Sequence, residues 1–361
     1  MRADDRIEDN RFPDALGAVT GGHEGIRLSE LRDAQTPLWR QWGNRLGFAL
    51  RQFMGENASS RGINAYIEPV EDKSALFAGN EGVWLSELGW LKEPYRLTPT
   101  QVTRFKSLLQ LYDLSAFYEN SSRLRLLEVM SVLDYLDQFQ QAQPFFDSSC
   151  LHQRVCCHWL DVGSKNWAYV HALWAFLNRH WRNENSTSKD NALRKIHIDG
   201  VEIDSERRYR DGYTRADYAR SYINALPWPE DARYHRGDIR TWQGYPQEPG
   251  EGKFKGYPII TCFLPFVFAD PHFAWGLPAS RFDPSGLLQR MLALLANSGT
   301  LIITNQGEDE AQAQAALLRM ARKQMAVEGF ELRITAFGAL PETFLPTQYK
   351  RYGFLCRKMA F

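Results

Sequence analysis

Three short apolar runs in this 361-residue chain end on carboxylates. The first runs through Leu160 into Asp161-Val162-Gly163-Ser164-Lys165-Asn166. The second closes on Asp199-Gly200-Val201-Glu202-Ile203-Asp204, and the third runs into Arg236-Gly237-Asp238-Ile239. An ionised carboxylate only accepts hydrogen bonds, so each suits a ligand rich in hydroxyl, amine or ammonium donors. Gly163 permits a tight turn and a close backbone approach to such a ligand. Ser164 adds a hydroxyl beside it. Asp161, Gly163, Ser164, Glu202, Asp204 and Asp238 are therefore the candidate binding residues, with Glu202 preferred over Asp204.

The surrounding elements decide whether these groups can meet. From Cys156 onward, apolar runs alternate with helical segments. The expected strands are Cys156–Val162, Ile196–Ile203, Arg233–Arg236, Tyr257–Phe263, Thr300–Thr304, Glu331–Ala336 and Gly353–Lys358. Helices are expected over Asn166–Trp181, Thr214–Leu226, Pro284–Ala296 and Glu308–Glu328. Such alternation predicts an α/β fold with a doubly wound, mostly parallel seven-stranded sheet. No helix separates the last two strands, so one of them is expected to be antiparallel. Ligands of such sheets bind outside the carboxyl ends of the strands, where all three carboxylates would stand.

The segment before residue 150 reads differently. Residues 1–22 are charged and aperiodic, the mark of a disordered tail. Residues 23–149 predict a mainly helical N-terminal domain. Trp39, Trp42, Leu46, Ala49 and Phe53 fall on one helical face. Thr98, Pro99 and Gln101 form a capping-box start, and a further helix spans Ser122–Gln141 until Pro144 stops it. Residues 150–361 form the second domain. Net charge is −5 over residues 1–150 and +5 over the remainder, against zero for the chain.

Several function classes are disfavoured. After Gly163 the next glycine is Gly200, so no G-x-G-x-x-G pyrophosphate cradle exists and a nicotinamide enzyme is not expected. Cys150, Cys156, Cys157 and His158 cluster without metal-ligand spacing, and Cys156–His158 read as residues of a core strand. Zero net charge argues against nucleic acid or an anionic membrane as partner. The apolar stretch Ile259–Ala269 is about half the ~20 residues of a membrane span. The polar, acidic start has no signal-peptide core, and five cysteines make no disulfide framework. A cytoplasmic protein is expected.

Taken in order, LDVGSKN, IDGVEID, RGDI, the ITCFLPF strand and NSGTLIITNQGE resemble the class I S-adenosylmethionine-dependent methyltransferases. The resemblance covers roughly residues 150–361, including a final strand pair that the family places antiparallel. It implies S-adenosylmethionine as cofactor. Asp161 and Gly163 would then sit near its methionine moiety, Glu202 would bind the ribose hydroxyls and Asp238 would meet the adenine amine. The family's first loop carries two or three glycines. Here Gly163 is followed by Ser164, Lys165, Asn166 and Trp167, whose bulk bears on how a cofactor lies. Lys165 is a candidate partner for the cofactor carboxylate, against the plainer reading of a solvated lysine.

The acceptor side is expected at Phe263-Leu264-Pro265-Phe266 and beyond. Nucleobase amine methylases tend to carry Asn/Asp-Pro-Pro-aromatic there, and this chain has no amide or carboxylate in that place. Phe266, Phe273 and Trp275 would wall a small-molecule pocket, or else face the N-terminal helices, and those helices are also a possible protein-partner surface. His272 has the chemistry of a general base near neutral pH, though a structural role is the commoner fate of a lone histidine. Methyl transfer asks mainly for alignment, so no triad is required. The Gly/Pro-rich stretch Thr241–Gly256 is a candidate lid. The expectation is a methyltransferase acting by in-line transfer on a small molecule. The alternatives are a non-catalytic scaffold on the same fold, favoured by the divergent loop, and an aminopropyl transferase, for which only Asp270 and Asp283 offer acidity.

Overall fold

The computed structural model describes residues 97–145, 156–183, 195–207, 213–244, 256–275, 277–340, 344 and 350–361. The Trp39–Phe53 stripe, the tail, Cys150 and most of the Thr241–Gly256 stretch lie outside them. Three helices come first: α1 (Pro99–Leu111), α2 (Ser115–Asn120) and α3 (Arg123–Ala142). Thr98 caps α1 with both capping-box bonds, its N–H donating to Gln101 Oε1 at 2.9 Å and its Oγ1 accepting from the Gln101 N–H at 3.3 Å. Ser122 caps α3 through the Arg125 N–H. Arg104 joins the two helices by ion pairs of 2.6 Å to Asp134 and Asp137.

The sheet contains β1 (Cys156–Val162), β2 (Lys195–Glu202), β3 (Ala232–Arg236), β4 (Tyr257–Phe263), β5 (Leu295–Gln306), β6 (Phe330–Ala339) and β7 (Arg351–Ala360). Their order is β3-β2-β1-β4-β5-β7-β6. The first five are mutually parallel, and β7 enters antiparallel to both β5 and β6. Helices α4 (Val170–Leu177), α5 (Arg215–Asn224), α6 (Ala269–Ala274), α7 (Pro284–Leu294) and α8 (Gly307–Val327) complete the described α-helices. A π-helical turn extends α4 through Asn183.

Alternating strand residues feed two cores. Trp159, Ile196, Ile198, Ile259 and Ile302 join α1 to α5 on one face. Leu160, Val201, Ile260, Leu301 and Ile303 join α7 and α8 on the other. The helices of 97–145 thus bury their apolar faces in the same core as the sheet, which brings α3 beside the strand ends. No helix of the described residues is long and apolar enough to cross a membrane.

Two elements differ from the sequence expectation. The helix expected from Asn166 begins only at Val170, because Lys165 and Trp167 are left-handed, with φ of 55° and 57°, and a right-handed helix starts only after them. The strand expected at Thr300 begins at Leu295. Asn297-Ser298-Gly299 reads as a turn, yet it sits inside β5 as an irregularity, with Ser298 at φ 62° and a register break opposite Tyr257/Ile259.

Candidate functional site

A cavity opens at the carboxyl ends of β1 to β4, lined by Gly163, Glu202, Asp204, Asp238, Phe266, His272 and Trp275 among others. Seven of the ten predicted site residues therefore share one cavity. Asp161, Ser164 and Phe273 are outside its lining.

The end of β2 is built around Glu202, which is 4% exposed. Its Oε1 accepts the Asp204 N–H at 2.8 Å and Arg215 Nη1 at 3.1 Å, and its Oε2 accepts the Lys165 N–H at 2.9 Å. A carboxylate has about four lone-pair positions, so one, on Oε2, stays open to a ligand hydroxyl. Arg215 is delivered by the start of α5, which Thr214 and Asp217 cap reciprocally. Asp204 sits behind it, holding Arg207 at 2.5 Å and lying 3.8 Å from Arg215.

Asp238, past the end of β3, is more fully engaged. Arg240 reaches it through its backbone N–H, Nε and Nη2, at 2.6 to 3.0 Å, and Arg281 Nη1 lies 2.9 Å away. Burial opposes its charge, but the hydrogen bonds from Arg240, then the charges of Arg240 and Arg281, hold the carboxyl below its ordinary range.

The loop after β1 keeps left-handed backbone at alternate positions, Gly163 (φ 74°), Lys165 and Trp167. Leu264, just past β4, is left-handed as well, at φ 61°. Non-glycine residues adopt this conformation at a cost of about 1 kcal/mol or more. Lys165 and Leu264 meet at the cavity, while Trp167 is buried behind it. Cross-links hold the first loop in this shape: Tyr234 OH donates to the Lys165 carbonyl, and Trp167 Nε1 donates to Asp161 Oδ2 at 2.9 Å. The indole of Trp167 lies against Gly200, where a Cβ would come within 2.7 Å of the ring. Lys165 keeps surface open to the cavity. Enclosure by the walls, then the Arg215 charge, still holds its ammonium below the ordinary lysine value.

Asp161 is turned into the protein. Besides Trp167, it accepts Tyr169 OH at 2.8 Å and Thr261 Oγ1 at 2.6 Å. Complete burial raises its pKa to about 7, against the pull of those three donors. Its place is under the loop, bracing it. Ser164 is fully buried, and its carbonyl accepts the Trp167 N–H.

The far wall is aromatic. Phe266 lies 5.6 Å from His272 and 6.3 Å from Trp275, ring to ring. Trp275 faces Arg207 at 5.0 Å, Arg215 at 5.1 Å and Lys165 at 5.8 Å, so cations crowd its ring. Phe273, outside the lining, meets His272 edge-on and Phe282 at a tilt. His272 is 3% exposed, and its Nε2 lies 2.9 Å from the Pro278 carbonyl. A carbonyl only accepts, so Nε2 carries a proton there and a base at this ring would have to use Nδ1.

Sequence reasoning missed the arginines. Arg215, Arg240 and Arg281 line the cavity, and Arg281 reaches Asp238 across 43 residues. Only Arg240, two residues beyond Asp238, had a local signal. Among the described residues, no group of three or more His, Cys, Asp or Glu is placed to hold a metal ion.

No family model and no curated protein matches the chain. Solved structures do. A candidate class I S-adenosylmethionine-dependent methyltransferase from Listeria monocytogenes is similar at 12% identity and TM-score 0.38, over 96% of this chain and 86% of that one. The plantazolicin methyltransferase, solved with S-adenosylhomocysteine and a desmethyl-plantazolicin analogue, is similar at 13% identity and TM-score 0.36, over 71% and 96%. A candidate transferase from Pyrococcus horikoshii is similar at 6% identity and TM-score 0.34, and this chain spans 64% of its length. Likenesses this distant carry no argument about activity. The doubly wound sheet, with β7 antiparallel between β5 and β6, is the mostly parallel seven-stranded α/β arrangement that the sequence led us to expect.

Proposed function

We propose that the chain is an S-adenosylmethionine-dependent methyltransferase acting on a small molecule. The observation that carries this reading is that Gly163, Glu202 and Asp238, each at or just past the end of a different one of three adjacent parallel strands, line one cavity. The donor set suits an adenosyl ligand. Glu202 keeps one position for a ribose hydroxyl. Ile203, Ile239, Leu287 and Phe282 supply apolar walls for a flat base. Asp238 would take the adenine amine once Arg281, whose side chain is 34% exposed, turns aside. Gly163 leaves the methionine end without a side chain in its way. When bound, the sulfonium supplies an activated methyl group. The chain's own task is to align the acceptor with it and to exclude water, and the Phe266 and Trp275 wall is suited to the exclusion.

A second reading has its own observation. The carboxylates at the ends of β2 and β3 are already answered by Arg215, Arg240 and Arg281. A scaffold that no longer binds cofactor would be wired this way. The aminopropyl transferase gains nothing, because Asp283 is spent capping α7 through the Gly286 N–H.

Calorimetric titration of the full chain with S-adenosylmethionine and S-adenosylhomocysteine, with NAD as control, separates the two. Micromolar binding of an adenosyl ligand, weakened at least tenfold in Glu202→Gln, supports the methyltransferase. A folded protein that binds neither ligand is the scaffold.

A further inference from the structure

A second cavity adjoins the first and has no role in the reading above. It shares Gly163, Lys165, Phe263 and Leu264 with the main cavity, so the two meet where the backbone is left-handed. It then extends away from β2 and β3, under α3 and across β5 to β7, between Ser131, Tyr135, Tyr169, Thr304 and Arg351.

Two features mark it as a place for a ligand. Ser131 is 3% exposed, and its Oγ has no hydrogen-bond partner. Such a hydroxyl costs stability unless something answers it. The second feature is charge. Arg215, Arg240 and Arg281 in the main cavity each lie on a carboxylate. Lys165 and Arg351 form no ion pair with any described residue; Arg351 Nη1 donates at 2.7 Å to the neutral Gln306 amide. Glu128 stands at the same wall, so the lining itself holds one acid against two cations, with Glu310 outside the lining but near enough to feel the Arg351 charge.

Position supplies the direction. A ligand with its ribose on Glu202 and its base beyond β3 has its reactive end at Gly163 and Leu264. In-line transfer requires the acceptor on the far side of that point, which is the second cavity.

We infer that this second cavity is the acceptor site, and that the acceptor carries an acidic group, carboxylate or phosphate, seated on Arg351 beside Lys165 with a polar atom meeting Ser131. The inference rests on the adenosyl-ligand reading of the main cavity. Both acids offer an anionic oxygen pair to a guanidinium, so the test has an arm for each.

The full chain is saturated with S-adenosylhomocysteine, and the binding of benzoate and of inorganic phosphate is followed by NMR. One of the two probes is expected to bind. Arg351→Gln should weaken it at least tenfold, Arg351→Lys by less, and Ser131→Ala severalfold. Affinity for S-adenosylhomocysteine should stay within twofold in all three variants. Ser131→Ala removes only an unanswered hydroxyl, so it keeps the test readable should Arg351→Gln fail to fold.

Failure of both probes on the loaded wild type overturns this inference alone, as does probe binding indifferent to Arg351 and Ser131. A tenfold loss of S-adenosylhomocysteine affinity in Arg351→Gln overturns it too, by giving the cation to the adenosyl ligand's own carboxylate. No S-adenosylhomocysteine binding to wild type overturns the adenosyl reading first, and the acceptor role with it, even where benzoate still binds.

Discussion

The ends of β2 and β3 and the ends of β1 and β4 face the same cavity and are built on opposite terms. At β2 and β3 the order is electrostatic: Glu202 and Asp238 are held by three guanidiniums, and Gly237 supplies the one left-handed turn at no steric cost. At β1 and β4 the order is conformational. Lys165 and Trp167 are kept left-handed by cross-links to Tyr234, Asp161 and Gly200, and Leu264 is held by its N–H donating to the Thr304 carbonyl. The contrast changes how the first loop is understood. Glycines make a left-handed turn easy, but neighbours can also enforce it, and the shape here survives with side chains at two of the three alternate positions. A loop short of glycine is therefore braced in this protein, and the brace is the part to break.

The largest effect is expected on the electrostatic side. Glu202→Ala removes the acceptor of two backbone N–H groups and the nearest partner of a buried arginine. Breaking a buried pair typically costs about 3–5 kcal/mol. Asp204 remains 3.8 Å from Arg215, so a loss near the lower end, about 3 kcal/mol, is expected in urea unfolding. A loss under about 1 kcal/mol would mean that water already shares the pair.

Gly200→Ala attacks the brace. Its Cβ would meet the Trp167 ring at 2.7 Å, and the ring is tied to Asp161. Overpacking of this kind costs about 1–3 kcal/mol. Tryptophan fluorescence should shift with it as Trp167 leaves its pocket. Full stability with an unchanged spectrum would show that the indole does not hold the loop.

How much of this was legible in the sequence follows the same division. Carboxylates at strand ends, the cap at Thr98, and the antiparallel final pair depend on neighbours in the chain or on alternation, and one sequence carries both. The arginine partners were hidden because a guanidinium reaching Asp238 from Arg281 leaves no local spacing to read. Asp161 points inward because Thr261 on β4 pairs with it in register, and register across a parallel sheet is set only once the crossovers are packed. The left-handed loop was hidden for a third reason. Lysine and tryptophan are poor candidates for φ near 55°, and only tertiary contacts impose it.

Asp161→Asn tests the brace by titration. Its folded pKa, about 7, lies above the ordinary value of about 4 for an unfolded aspartate. The native state therefore holds the proton more tightly. That contribution to stability is full below pH ~4 and is lost as pH rises through about 7, at a limiting slope of about 1.4 kcal/mol per pH unit. Asparagine cannot titrate, so the variant should gain on wild type between pH 5 and pH 7 and run parallel to it above pH 8. Chemical denaturation at those three values checks this. Parallel curves throughout would put the Asp161 pKa at its ordinary value.

The smallest effect reads the strain itself. At an ordinary loop position glycine is less stable than alanine by about 0.5–1 kcal/mol, because the unfolded chain gains freedom. At Lys165 the order should invert. Alanine keeps a Cβ in the left-handed region and so keeps the cost of about 1–2 kcal/mol, whereas glycine removes it. Lys165→Gly is thus expected to exceed Lys165→Ala by up to about 1 kcal/mol, and comparing the two cancels whatever the lysine side chain itself contributes. Gly163→Ala should fall on the same scale from the other direction: its Cβ would meet nothing within 4 Å, so any loss is backbone strain alone. If alanine matches glycine at Lys165 while Gly163→Ala loses about 1 kcal/mol, the left-handed backbone is real at the first position and relaxed at the second, and the brace from Tyr234 holds less than its geometry implies.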